Sequence, residues 1–295
     1  MPGIAITGAS GFVGSMLARR FEDAGWSVIR LSHSTSGPDT VPFRLGDEVQ
    51  PEVFRTRNVT ALIHCAYDFK PLARAEIHRV NVDGSRKLLA GATTGGVERI
   101  AVLSTISAFE GCRSAYGQAK LEIEAAAAAA GALVVRSGLV WADGPPSGGG
   151  MFGSLAKSVK AGLVPFVGGG GYPQYLIHEQ DLWELLKRFC DGDIQNPGKP
   201  VVAAASKPWP MRDLLAELAR RQGLHPRFVP VPWQPVWAGL RLAEIAHVPV
   251  PYRSDSVVSL VYQDPRPDFE SLRTLGIVAR DFGSPGSEPS LPTRP

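Results

Sequence analysis

Tyr116 and Lys120 stand four residues apart in the stretch SAYGQAK. At that spacing a phenol and an ammonium share one face of a helix, about 5–6 Å apart. A free tyrosine titrates near pH ~10 and is a poor base at neutral pH. A neighbouring ammonium favours the phenolate and lowers that value. Such a pair takes a proton from an alcohol, or gives one to a carbonyl. The hydroxyl of Thr105, upstream in LSTISAF, is expected to hold the reacting oxygen beside the phenol. Tyr-x-x-x-Lys recurs by chance, so its weight depends on what surrounds it.

A second chemical stretch opens the chain. Thr7-Gly8-Ala9-Ser10-Gly11-Phe12-Val13-Gly14 follows a short apolar run and precedes an amphipathic one. Glycines between a strand and a helix N-terminus let a phosphate approach the backbone, and the helix's free N–H groups and dipole favour its charge. The spacing, glycines three apart, is expected to carry the pyrophosphate of a dinucleotide on Gly8, Ser10, Gly11, Phe12, Val13 and Gly14. A bound nicotinamide adds positive charge beside Tyr116. The end of the second strand reads Arg30-Leu31-Ser32-His33 and holds no carboxylate to accept from a ribose 2′-hydroxyl. Ser32 and His33 therefore point to NADP rather than NAD. Asp47, in LGDEV, is expected to accept from the adenine amine.

The elements that must position these groups alternate. Strands are expected at Ile4–Thr7, Ser27–Leu31, Thr60–Cys65, Arg99–Ser104 and Leu133–Arg136, and helices at Ser15–Ala24, Ala75–Ala90 and Gly117–Ala130. Strands separated by helices of this length imply right-handed crossovers and a parallel sheet. Beyond Val140 the texture changes. Pro145–Gly150 and Gly168–Gly171 read as loops, and helices are expected at Phe152–Ala161, Asp181–Cys190 and Met211–Gln222. The Pro- and Trp-rich segment Pro230–Pro251 contains a further amphipathic helix around Trp237, Leu240, Arg241, Glu244 and Ile245. The fold class is thus α/β, a doubly wound parallel sheet over residues 1–165, with a smaller interleaved C-terminal substrate part over 166–295 and a loose tail from about 284.

Composition narrows the partners. The chain has 295 residues, 44% apolar, with a net charge of +3. That charge points to neither a nucleic acid nor a membrane as partner. No run reaches the roughly 18 apolar residues of a membrane span. The first strand starts near residue 3, so no leader is expected. Cys65, Cys112 and Cys190 are odd in number and dispersed, which fits reduced thiols in a cytoplasmic protein and no metal site.

Together these motifs resemble the extended short-chain dehydrogenase/reductases, the group that includes NAD-dependent epimerases and dehydratases. The resemblance covers most of residues 3–190. ALIHCAY is similar to the family's fourth-strand segment, which implies that the backbone at Cys65 and Ala66 passes the nicotinamide ribose. NVDGSRKLL is similar to the family's Asn-x-x-Gly-Thr helix, implying that Asn81 supports Lys120 through water. LSTISAF and SAYGQAK imply Thr105, Tyr116 and Lys120 as catalytic groups, Ser104 as an alternative hydroxyl, and Ser107 at the substrate. VVRSGLVW and YLIHEQDL extend the likeness, with His178 read as a packed histidine and Asp181 as a helix N-cap.

Several positions depart from the family. Ile106-Ser107 replace the Asp-Glu of the dehydratases, arguing against sugar dehydration. Gln174 stands where many nucleotide-sugar members place an Arg, giving up a charge-assisted grip on a diphosphate; Arg253 or Arg266 are possible substitutes. The alanine-rich helix before Gly131 is suited to close packing in a homodimer. The reading is an NAD(P)-dependent oxidoreductase acting on a secondary alcohol or ketone, with a nucleotide-sugar epimerase as the alternative. A non-catalytic dinucleotide sensor and a scaffold that meets membranes through the 233–245 helix are more distant possibilities.

Overall fold

The computed structural model describes residues 1–33, 37–144, 149–250 and 252–283. The expected tail from 284, and residues 145–148 of the expected loop, lie outside the described residues. Six strands alternate with helices through the first half: β1 (Gly3–Thr7), β2 (Ser27–Ser32), β3 (Thr40–Pro42), β4 (Val59–His64), β5 (Arg99–Thr105) and β6 (Leu133–Ser137). Shorter strands follow: β7 (Leu139–Trp141), β8 (Leu163–Val167), β9 (Pro173–Gln174), β10 (Leu176–His178), β11 (Val201–Ala203), β12 (Trp209–Pro210) and β13 (Arg227–Val231). The central sheet has seven strands in the order β11-β6-β5-β4-β1-β2-β3, all parallel. The order reverses beside β1, so β1 and β4 diverge to opposite sides and leave a crevice at their C-terminal ends. Ligands of doubly wound sheets bind at such a reversal.

The helices are α1 (Phe12–Asp23), α2 (Pro51–Thr56), α3 (Arg74–Ile77), α4 (Gly84–Thr94), α5 (Ala115–Ala129), α6 (Gly150–Ser158), α7 (Glu179–Asp191), α8 (Met211–Arg221), α9 (Trp233–Ile245), α10 (Ser254–Val261) and α11 (Glu270–Arg273). Amphipathic spacing assigns each face. Leu17 and Phe21 of α1 and Leu182, Leu185, Leu186 and Phe189 of α7 are buried on one side of the sheet. Leu88 and Leu89 of α4 and Ile123 and Ala127 of α5 are buried on the other. Each fully buried large side chain contributes roughly 1.5–3 kcal/mol. A third core, with Trp141, Phe152, Phe166, Leu214 and Leu218, joins α6 and α8 to the short strands.

Two expectations change. The helix expected at Ser15 begins at Phe12, inside the glycine motif. The helix expected at Ala75–Ala90 is three pieces, α3, a π-helical turn His78–Asp83 and α4. Period-3.6 patterning does not register a wider turn, which frequently marks a functional site. Here that turn buries Asn81 completely.

Candidate active site

The glycine loop is shaped by close contacts. Gly8 has a φ of +65°, which favours glycine. A Cβ on Gly14 would lie 2.2 Å from the Gly8 carbonyl oxygen, so α1 packs against the loop only because residue 14 lacks one. Gly11 caps α1 without a side-chain hydrogen bond, and the first turn carries no acidic residue. This cradle fits a pyrophosphate: backbone N–H groups face outward at the positive end of a helix. Ser10 is exposed, Phe12 and Val13 are half-buried in the first turn.

Ser32 ends β2 buried, and His33 beyond it is exposed. Asp47 is exposed, and its carboxylate accepts from the Arg44 N–H within its own turn at 3.1 Å.

At the floor of the crevice runs a chain of hydrogen bonds. The N–H groups of Cys65 and Ala66 donate to Thr7 Oγ1 at 3.0 and 3.1 Å. The Thr7 hydroxyl proton therefore goes to His64 Nδ1 at 2.7 Å. Ser85 Oγ donates to the Asn81 carbonyl at 2.6 Å, which leaves it to accept from His64 Nε2–H at 2.8 Å. The network thus assigns one tautomer of a neutral imidazole. Burial, with Lys120 nearby, pushes His64 down to about 3. Burial pushes the Cys65 thiol up to about 12. Asn81 directs its side chain to the next loop, accepting from the Asp68 N–H at 2.7 Å and donating to the Asp68 carbonyl at 3.0 Å.

The Thr105 hydroxyl lies near enough to the Tyr116 phenol to oppose the rise in its pKa, and the Ser107 N–H donates to Thr105 Oγ1 at 3.2 Å. Ser104, the alternative hydroxyl, donates instead to Glu124 at 2.5 Å, and Glu124 is held bidentately by Arg136. Lys120 is buried and donates to the Leu103 carbonyl at 2.8 Å. The structure therefore brings Tyr116, Thr105, Ser107 and Lys120 to the ends of β4 and β5, beside the glycine loop. The expected lowering of the phenol is reversed. Burial pushes Tyr116 up to about 12, opposed by the Thr105 hydroxyl. Burial also pushes Lys120 down to about 8, opposed by Cys65 and Glu124. Desolvation exceeds the helical neighbour's attraction because the ammonium is turned to a backbone carbonyl.

Sequence reasoning missed an aromatic wall. Tyr67 meets Tyr116 edge-on at 4.9 Å between centroids, Phe69 lies 5.5 Å from Tyr116, and Lys120 Nζ sits 5.2 Å from the Tyr67 ring. The signal was a Tyr-x-Phe pair directly after β4. It also missed Asp255, whose carboxylate accepts from the Ala115 and Tyr116 N–H groups at 2.8 and 2.9 Å and so anchors the start of α5. Nothing local marks that residue.

Other expected residues take different parts. Gln174 is buried and donates its amide to the Pro173 carbonyl at 2.8 Å; the structure does not join it to the Tyr116 cluster. Arg253 donates to the carbonyls of Phe69 and Pro71, so its guanidinium is committed to the protein. Asp181 is not an N-cap: His178 caps α7, its Nδ1 accepting from the Gln180 N–H at 3.2 Å, while Asp181 accepts from the Arg280 N–H at 2.7 Å. His178 is buried against Trp141.

Fold and site define a dinucleotide-binding α/β protein of the doubly wound class. Residues 4–138 match the family model "NAD dependent epimerase/dehydratase family". Over that stretch, a little under half of the chain, it is similar to that family. The chain is 29% identical over 196 residues to "Ceramide reductase" of Caulobacter vibrioides (strain NA1000 / CB15N), covering 63% of this chain and 60% of that protein. It is 31% identical over 111 residues to a "Putative dihydroflavonol 4-reductase" of Synechocystis sp., covering 35% of this chain and 32% of that one. The matches thus span less than two thirds of either relative. Among solved structures, MoeE5 in complex with UDP-glucuronic acid and NAD superposes with a TM-score of 0.70 at 18% identity, covering 97% of this chain and 95% of that one. UDP-glucose 4-epimerase of Thermotoga maritima gives a TM-score of 0.65 at 20% identity, covering 77% and 85%. At these identities the likeness establishes the fold. Among the described residues no helix is long and apolar enough to cross a membrane, and no His, Cys, Asp or Glu cluster suits a metal.

Proposed function

We propose that the chain is an NADPH-dependent reductase of an apolar ketone. The observation that carries this reading is the gathering of Tyr116, Thr105 and Lys120 beside the C-terminal ends of β4 and β5, with Tyr116 walled by Tyr67 and Phe69. The bound dinucleotide supplies the hydride. Thr105 and Tyr116 hold the carbonyl oxygen by two hydrogen bonds. As the oxygen gains charge, the phenol proton moves to it and a secondary alcohol results; solvent then reprotonates the phenolate. A phenol pushed up to about 12 is protonated at neutral pH and so has a proton to give to a carbonyl oxygen. Lys120 supplies positive charge beside the phenolate that forms, and Asn81 steadies the Tyr67–Phe69 loop.

Two observations favour reduction over nucleotide-sugar epimerisation. Gln174, standing in place of a diphosphate-pairing Arg, and Arg253, one of its two candidate substitutes, are committed to backbone carbonyls, while Arg266, the other, is exposed. The wall facing Tyr116 is aromatic. Both curated relatives are named as reductases, which points the same way. The test is loss of NADPH absorbance with long-chain or aryl ketones, run beside chromatographic separation of UDP-sugar epimers, because epimerisation consumes no net coenzyme. Turnover of the ketones is the expected result; turnover of UDP-sugars instead, or of neither class, overturns the reading.

Cofactor preference gives a separate prediction. NADPH is expected to bind more tightly than NADH, because β2 ends in Ser32 and His33. Ser32→Asp would set a carboxylate against the 2′-phosphate and lower NADPH affinity by roughly ten-fold or more, while leaving NADH binding intact. Fluorescence titration with both coenzymes measures this. Equal loss for both would show that Ser32 serves packing.

A further inference from the structure

Helix α9 is unusual for its surroundings. Its inward side rests on Leu240, Ala243 and the buried Glu244. Outward it presents Trp237, Leu242 and Ile245, exposed by 38%, 67% and 62%, followed by Val248 at 52%. Arg241 lies among them, and its guanidinium is half-exposed.

The pattern extends beyond one helix. Residues 149–163 and 224–253 are joined by the parallel pairing of β8 with β13 and by the Tyr252 hydroxyl on the Ser154 carbonyl. These two segments hold six of the nine large hydrophobic side chains exposed among the described residues. They also hold Lys157, Lys160, Arg227, Arg241 and Arg253 against one carboxylate, Glu244, which is buried, bonded to Ser254, and paired with Arg241 at 3.3 Å and Arg253 at 3.6 Å. A chain of net charge +3 thus gathers more than its whole surplus into one apolar region. The chain-wide average concealed this.

We infer that the exposed face of α9 seats on the surface of an anionic phospholipid bilayer, with Trp237, Leu242 and Ile245 in the acyl boundary and the neighbouring cations on the headgroups. A tryptophan and aliphatic side chains beside arginine and lysine, without an exposed acid, fit that interface. A second copy of the chain fits it less well. A two-fold contact through this face would set a region of net positive charge against its own copy, and the one carboxylate of these segments is already buried against Arg241 and Arg253. The face is continuous with the candidate site: Glu244 holds Ser254, Arg253 holds the loop of Phe69, and Asp255 holds the start of α5. If the reductase reading holds, this docking turns the aromatic mouth towards a bilayer as the source of an apolar ketone.

The test is cosedimentation of the full chain with phosphatidylcholine vesicles, with and without phosphatidylglycerol. Binding to the anionic vesicles, weakened by salt, is expected. The triple variant Trp237→Ser, Leu242→Ser, Ile245→Ser alters surface positions alone and should lower binding roughly ten-fold or more. Brominated lipid should quench tryptophan fluorescence in the wild type and less in Trp237→Phe. NADPH affinity, measured on the same proteins, should not change, so failure here is separable from failure of the reductase reading. No vesicle binding by the wild type, or equal binding by the triple variant, overturns the inference. So does a dimer by light scattering that the triple variant abolishes while vesicle binding is absent.

Discussion

Tyr116→Phe is expected to lower kcat for ketone reduction by about 10²–10⁴ while leaving NADPH affinity unchanged. The substitution removes one oxygen and its proton. It keeps the ring that packs against Tyr67 and Phe69, so the aromatic wall and the anchor from Asp255 survive. Steady-state kinetics with a coenzyme titration separate the two effects. The pH profile adds a second check. Tyr116, pushed up to about 12, stays protonated through the working range. Lys120, pushed down to about 8, carries its charge below that value and loses it above. Reduction should therefore hold a plateau near neutrality and decline as pH rises through about 8. A Tyr116→Phe enzyme with unaltered kcat would remove the phenol from the chemistry and sink the proposed function.

The second large effect concerns His64. Its folded form is held neutral, down to about 3, whereas a free histidine titrates near ~6.5. Between those values the unfolded chain binds a proton that the folded chain does not. Stability from this residue is thus complete above about 6.5 and is lost as pH falls towards 3, with a slope approaching about 1.4 kcal/mol per pH unit. His64→Gln should remove that slope. It should also cost roughly 2–4 kcal/mol at neutral pH, because it breaks a buried chain from Thr7 to Asn81. Urea midpoints for both proteins across the acid range test this. Carboxylates add an acid dependence common to both, so the difference isolates His64. Parallel curves would mean that the imidazole is not held neutral.

What the sequence made legible was local. Gly8, Gly11 and Gly14 describe one turn, and Tyr116 and Lys120 one helical face, so their spacing sufficed to place a glycine-lined crevice and a phenol–ammonium pair. The strands of the central sheet were legible because buried parallel strands read as short apolar runs between helices. What stayed hidden was non-local or of the wrong period. Asp255 acts on Tyr116 from 139 residues away, and no pattern links them. The turn at His78–Asp83 keeps a helical composition while widening its hydrogen bonds. The expected acidification of Tyr116 failed for a related reason: residue spacing reports a neighbour's charge but not the burial of both groups. His178 took the capping role assigned to Asp181 because the chain turned three residues earlier than composition implied.

The anchor at Asp255 has a consequence for synthesis. At ribosomal rates of about 5–20 residues per second, position 255 emerges roughly seven to thirty seconds after the segment it fastens. During that interval the nucleotide-binding half has its strands and glycine turn, while the first turn of α5 still lacks its distant fastener.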